Sequence, residues 1–293
     1  MSTAPADPRT ATLALGAAAL AAACFIGMDS TAKLLGERYG TAQVTFLRFA
    51  SGALFAVPLW LWQRTPLPAR PQWRWHLLRS VLLLAALLTW FFSLQRLPLV
   101  QAVGVGYTAP LFIALLAMWL LGERPSRWIC AALGMGALGV GVALWPELRA
   151  TDAPGSTGRL WGMASAAVSA VTYAGVVVLA RRQAQQDALW TILLVQNLLP
   201  VAMLAVPMVW LWQPLAAADL PILLLMGALA TGGLLCITWA FSHIEASRAA
   251  PVEYTGLVWA ALLGYAVFGE VPSVWSLSSA ALITVGCLLL VRR

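Results

Sequence analysis

Long apolar segments separated by short polar connections run along almost the whole chain. A helix that crosses the hydrocarbon core of a bilayer needs about 20 mostly apolar residues. Ten segments meet this requirement and are numbered here as predicted spans 1 to 10 in chain order: residues 11–35, 41–62, 76–95, 99–121, 126–145, 158–181, 188–212, 221–242, 247–268 and 274–291. The pattern therefore predicts an all-α integral membrane protein with ten transmembrane helices.

The connections between the predicted spans are short, and several contain proline, which ends or interrupts helices. The stretch at residues 146–157 is polar and rich in turn-forming residues, so it predicts an extracytoplasmic linker between two halves of the chain. The predicted organisation is a cytoplasmic N-terminal tail at 1–10, a first half with spans 1–5 at 11–145, and a second half with spans 6–10 at 158–291.

The second half repeats motifs of the first at a constant separation of 147 residues. Tyr107-Thr108 corresponds to Tyr254-Thr255, and Gly122-Glu123-x-Pro125-Ser126 corresponds to Gly269-Glu270-x-Pro272-Ser273. Biased composition aligns Leu and Ala by chance, but it does not readily align these polar motifs in one frame. Because each half has an odd number of spans, the second copy must start on the opposite face of the membrane. Inverted repeats are typical of secondary transporters, whose substrate path lies between the repeats.

Composition supports a membrane environment. The chain is 61% hydrophobic and only 10% charged, with a mean hydropathy of +0.83, whereas about a quarter of the residues in a soluble domain are charged. Lipid must therefore surround most of the surface. The net charge of +7 comes from arginines at the ends of apolar runs, which argues against a nucleic-acid partner. The four cysteines lie inside apolar segments without a CxxC pair, so neither a disulfide framework nor a metal site is expected.

The distribution of basic residues predicts the orientation. If the N-terminus is cytoplasmic, 12 arginines fall at the inner ends of the spans and five lysines and arginines at the outer ends. The positive-inside rule therefore places both termini in the cytoplasm.

Two charged residues of the first two spans are predicted to pair inside the membrane. At 1.5 Å per helical residue, Asp29 and Arg48 both lie about 10 Å from the outer surface, on consecutive helices. Unpaired charges cost at least a few kcal/mol at this depth, so we expect a structural ion pair between them. Asp29 could instead pair with Lys33, one helical turn away.

A further carboxylate and several aromatic residues are candidates for a substrate site. Glu253 lies inside span 9 and has no charged counterpart in the first half, so it could receive an ammonium group or bond a neighbouring helix. Aromatic rings with polar tips suit amphipathic substrates, although each ring alone could serve packing. Pro110 lacks an N–H and is expected to leave a carbonyl unpaired near Tyr107. The predicted substrate-binding residues are Tyr107, Tyr254, Glu253, Trp90, Tyr173 and Trp239.

Four motifs together resemble the EamA family of the drug/metabolite transporter superfamily. They are the two Gly-Glu-x-Pro sequences at 122–125 and 269–272, Phe46-Leu47-Arg48-Phe49, and Met28-Asp29-Ser30-Thr31-Ala32-Lys33. The resemblance covers residues 11–291 and implies a ten-helix exporter of small metabolites in the bacterial inner membrane, working without a cofactor. The chain also shows a looser likeness, without a shared motif, to YddG-type exporters of aromatic and other neutral amino acids. The resemblance also implies that spans 1, 3, 4, 6, 8 and 9 line a central cavity, while spans 5 and 10 form a structural pair.

The function predicted from these features is export of neutral or aromatic amino acids by alternating access, in a protein that works as a monomer. The alternative is a membrane-embedded enzyme acting on lipid. Such an enzyme should show clustered His, Asp or Glu at one interface, and the sequence contains neither such a cluster nor a nucleotide-binding or hydrolase motif.

Overall fold

The fold is known from a computed structural model. It describes residues 8–109, 156–184, 186–243 and 255–291, together with scattered positions between 112 and 145. Every regular element in these ranges is a helix, and the part of the chain described contains no strand.

Nine α-helices are described in these ranges, and the two 3₁₀ turns at Arg70–Gln72 and Ala217–Asp219 precede the third and seventh of them. In chain order the helices are α1 (Pro8–Gly36), α2 (Thr41–Gln63), α3 (Trp73–Leu94), α4 (Leu99–Gly106), α5 (Ser156–Ala184), α6 (Leu189–Leu211), α7 (Leu220–His243), α8 (Thr255–Phe268) and α9 (Val274–Val291).

Six of the described helices are long and apolar enough to cross a bilayer, namely α1, α2, α3, α5, α6 and α7. They correspond to predicted spans 1, 2, 3, 6, 7 and 8, so the prediction of a helical membrane protein is confirmed. Helix α8 is a shorter apolar helix. Most of span 5 and part of span 9 fall outside the described residues, so the count of ten helices and the inverted relation of the halves remain predictions.

The fourth helix is interrupted where the sequence indicated. Helix α4 ends at Gly106, and Tyr107 and Thr108 form a turn closed by the hydrogen bond from the Thr108 N–H to the Val105 carbonyl at 3.0 Å. Pro110 has no N–H to continue the helical ladder, which explains an interruption one turn before it. Tyr107 is eight residues from Leu99, about 12 Å along the helix axis, and therefore near the middle of a 30 Å hydrocarbon core.

Helices of the first half pack against helices of the second half. Helix α1 packs along α7, α3 along α5, and α2 against α6 and α7. Small residues permit the close approach: a Cβ on Gly227 of α7 would lie 2.6 Å from the carbonyl oxygen of Ser51 in α2. The main hydrophobic core draws on α1, α2, α3, α4, α5, α7 and α8. Side chains of these helices therefore meet in the centre of the molecule.

Candidate functional site

A polar and aromatic group, which we term the central cluster, lies where α1, α3, α4 and α8 meet. It consists of Asp29, Trp90, Gly106, Tyr107 and Gly256. The indole Nε1–H of Trp90 donates a hydrogen bond to Oδ1 of Asp29 at 2.9 Å. Asp29 is only 6% exposed, so this bond holds a carboxylate that has little contact with solvent. The predicted residues Trp90 and Tyr107 are thus in one cluster, together with an aspartate predicted for a different role.

Two glycines allow the aromatic rings of the central cluster to fit. A Cβ on Gly106 would lie 2.9 Å from the outer ring atoms of Trp90, so the indole packs directly on the α4 backbone. The Tyr107 hydroxyl occupies the space that a Cβ on Gly256 would need. Tyr107 therefore contacts α8, and the cluster joins the first half of the chain to the second.

The ion pair predicted between Asp29 and Arg48 is not a direct contact, because no nitrogen–oxygen distance between them is within 4.0 Å. The charges remain close enough for a Coulombic attraction. Arg48 instead donates from NH1 to Oδ1 of Asn197 in α6 at 3.0 Å and lies 4.7 Å from the centre of the Phe49 ring. The alternative partner, Lys33, points to a different acceptor, described below. Equal depth along two helices did not place the side chains on facing sides.

The remaining predicted site residues lie away from the central cluster or outside the described residues. Tyr173 on α5 is 47% exposed and Trp239 on α7 is 42% exposed, and neither belongs to the core that contains Trp90 and Tyr107. Glu253 and Tyr254 lie outside the described residues. Their role in substrate binding stays a prediction.

A second site, termed here the Glu270 clamp, ties α8 to α1 and α4. Glu270 forms an ion pair with Lys33 near the end of α1, and its Oε2 accepts a hydrogen bond from the first backbone N–H of α4, at Leu99, at 2.7 Å. The Lys33 ammonium also donates to the Leu97 carbonyl at 2.7 Å. Gly269, with a φ of +65°, ends α8 and turns the chain so that Glu270 reaches these partners. The Gly-Glu-x-Pro motif was recognised in the sequence, but its contacts could not be.

A third polar group lies at the same end of the molecule, between the α1–α2 and α6–α7 connections. Asp219 accepts from the Arg38 guanidinium at 2.6 Å and from the Tyr39 hydroxyl at 2.7 Å. The Gln43 side chain donates to the Gln213 carbonyl at 2.7 Å and accepts from its N–H at 2.9 Å. Polar contacts between the halves are therefore numerous at this end.

The opposite end carries its own polar contacts between α3 and the α5–α6 region. His76 lies 3.0 Å from the Asp187 carboxylate, and Arg79 donates to the amide oxygens of Gln183 at 2.7 Å and Gln196 at 2.9 Å. Within the described ranges, no group of three or more His, Cys, Asp or Glu side chains could hold a metal ion.

The six long apolar helices indicate a multi-pass membrane protein. The sequence profile of the EamA-like transporter family matches residues 9–145 and again residues 160–292. These matches cover most of the chain, and the protein belongs to the EamA-like transporter family, within the drug/metabolite transporter superfamily.

Proteins with similar sequences include transporters of small molecules. The chain is 25% identical over 262 residues to an S-adenosylmethionine uptake transporter of Rickettsia bellii, covering 87% of this chain and 85% of that one. It is 27% identical over 280 residues to the pseudopaline exporter CntI of Pseudomonas aeruginosa, covering 94% of each chain. It is 29% identical over 273 residues to a riboflavin transporter of Rhizobium johnstonii, covering 87% and 82%. The family and these relatives identify the chain as a small-molecule transporter.

A solved crystal structure has the same fold. It aligns with a TM-score of 0.61 over 97% of this chain and 96% of the other, at 21% sequence identity.

Proposed function

We propose that the protein is a secondary transporter that exports neutral or aromatic amino acids across the bacterial inner membrane. The observation that carries this proposal is the central cluster: a buried carboxylate held by an indole, beside a tyrosine at a break in the fourth helix. The relatives carry chemically different cargoes and include both uptake and export proteins, so the substrate is argued from this chain's own residues, and export is proposed from the resemblance to EamA exporters.

The chemistry of the central cluster suits a zwitterion with an apolar side chain. Aromatic faces bind the apolar part, and a carboxylate accepts hydrogen bonds from an ammonium group that has lost its water. Interrupted helices near the middle of a membrane expose backbone carbonyls or N–H groups to a ligand, a common arrangement in transporters.

The remaining predicted residues complete the proposed site. Tyr254 corresponds to Tyr107 under the internal repeat, so inverted halves would bring both tyrosines near the pseudo-two-fold axis. Glu253, beside Tyr254, adds a second carboxylate. Tyr173 and Trp239 are proposed to line the path above and below the cluster. We further propose that the protein alternates access through this path as a monomer, with both termini in the cytoplasm.

Transport by the purified protein in liposomes tests the proposal. Wild-type protein should exchange radiolabelled phenylalanine or leucine for internal unlabelled substrate. Glu253→Gln should reduce this exchange by at least tenfold while folding, measured by size-exclusion chromatography, stays unchanged. Glu37→Gln is the matched control, because Glu37 is an exposed carboxylate at the end of α1. The proposal fails if wild-type protein transports none of the neutral or aromatic amino acids.

A further inference from the structure

Asp29 has fewer partners than a buried carboxylate requires. Removing an ionised carboxylate from water is costly unless several donors or a counter-charge replace the lost hydration. Oδ1 accepts the Trp90 N–H, but Oδ2 accepts no hydrogen bond from any residue that the structure describes. The pairing that the sequence predicted would have supplied the missing charge, and it is not made.

Arg48, the basic residue of α2 that was predicted to pair with Asp29, is hydrogen-bonded to a different residue. Asn197 receives the Arg48 guanidinium and is itself fixed, since its amide donates to the Leu193 carbonyl at 2.8 Å. The Phe49 ring lies against the same guanidinium. Arg48 therefore bonds an uncharged acceptor between α2 and α6. The Asp29 carboxylate is left without a direct partner of opposite charge.

We propose that Asp29 is the residue that binds the cationic group of the transported molecule, an ammonium in the case of an amino acid. This assignment rests on the proposed function and names the site's recognition chemistry. A primary ammonium has three N–H donors, so it can supply Oδ2 with the hydrogen bond that the protein does not provide. The Trp90 N–H fixes the orientation of the carboxylate before the substrate binds.

The surroundings of Asp29 fit a cation with an apolar side chain. The indole of Trp90 offers an aromatic face, which attracts cations as well as hydrocarbon groups. Charge and orientation thus occur together at one place.

The test compares two ligands that differ only in the ammonium group. Phenylalanine and 3-phenylpropionate should compete with labelled phenylalanine for wild-type protein with affinities at least tenfold apart, in favour of phenylalanine. Asp29→Asn keeps the shape of the side chain but removes its charge, and it should reduce this preference to less than threefold. Glu37→Gln should retain the wild-type preference. An Asp29→Asn variant that keeps the wild-type preference overturns the inference.

A second measurement uses wild-type protein and needs no folded variant. A hydrophobic carbodiimide should modify the Asp29 carboxyl, detected by mass spectrometry, and phenylalanine should slow the modification at least fivefold more than 3-phenylpropionate does. Equal protection by both compounds contradicts cation binding. An unchanged ligand preference in Asp29→Asn combined with loss of pH-driven transport would assign a proton to Asp29 and would also overturn the inference. Absence of amino acid transport by wild-type protein would instead overturn the proposed function.

Discussion

Single atoms decide what the central cluster can accommodate. Tyr107 could be predicted as a site residue because it repeats at Tyr254, and its hydroxyl does reach across to α8. Gly256 could not be predicted, since a glycine in an apolar run gives no sign of which side chain will lie over it. Trp90 was expected near the substrate path, but its hydrogen bond to Asp29 depends on the rotation of two helices about their axes. Residue counting gives depth along a helix and not that rotation, which is also why Asp29 and Arg48 lie at similar depth without a direct contact.

The contact between Tyr107 and Gly256 leads to a prediction at this scale. Gly256→Ala places a methyl group where the tyrosine hydroxyl lies, so it should lower the free energy of unfolding by about 1–3 kcal/mol through overpacking. Adding Tyr107→Phe removes the obstructing oxygen and should recover most of that loss. Thermal unfolding in detergent measures both effects.

Gly104→Ala serves as the comparison, because its new methyl group meets no heavy atom of the described residues within 4 Å and gains helix propensity. It should leave stability unchanged or raise it slightly. Equal destabilisation by Gly104→Ala and Gly256→Ala would contradict the assigned contact.

At the scale of helices, the sequence indicates where most of them lie but not how their ends are joined. The sequence predicted most helices of the described part well, since long apolar runs allow little else in lipid. The break inside span 4 was not drawn: α4 ends at Gly106, and most of span 4 after residue 109 lies outside the described residues. Hydropathy does not register a turn inside an apolar run, and only Pro110 indicated one. The role of Gly-Glu-x-Pro was likewise hidden, because the partners of Glu270 come from distant parts of the chain.

The losses of stability caused by removing the two charges of the Glu270 clamp should be strongly non-additive. Glu270→Gln leaves the Lys33 ammonium, 11% exposed in its side chain, without a counter-charge, and should lower stability by about 2 kcal/mol. Lys33→Met should cost a similar amount. The double variant should lose less than the sum of the two, since neither charge is left alone.

Thermal unfolding of the wild-type protein, the two single variants and the double variant gives the coupling free energy between Lys33 and Glu270. Glu37→Gln, on an exposed carboxylate of the same helix end, should be neutral. Additive losses would show that Lys33 and Glu270 do not stabilise each other.

At the scale of the molecule, the two matches of the family profile lie in the two predicted halves, and the first-half helices pack on second-half helices. The existence of two halves could be derived from motif spacing, whereas the pairing of α1 with α7 and of α3 with α5 could not. Helix pairing in lipid depends on surface shape, and small residues occur on many faces of this chain.

Orientation gives the prediction for the whole chain. A reporter that is active only in the periplasm should give no signal when fused after Arg293, because the inner ends of the spans carry most of the arginines. The same reporter inserted in the linker at 146–157 should be active. Activity at the C-terminus would reverse the assigned topology.

The Glu270 clamp has a kinetic consequence for any opening of this end. One carboxylate accepts from both the Lys33 ammonium and the Leu99 backbone N–H, so withdrawing Glu270 breaks both bonds, while Lys33 keeps its bond to the Leu97 carbonyl. Breaking only one of the two bonds does not free α8 from α1 and α4. The released donor, a charged ammonium or the N–H at a helix start, loses an acceptor while the other bond still restrains α8. An opening of this end of the molecule would therefore have to break both bonds of one carboxylate.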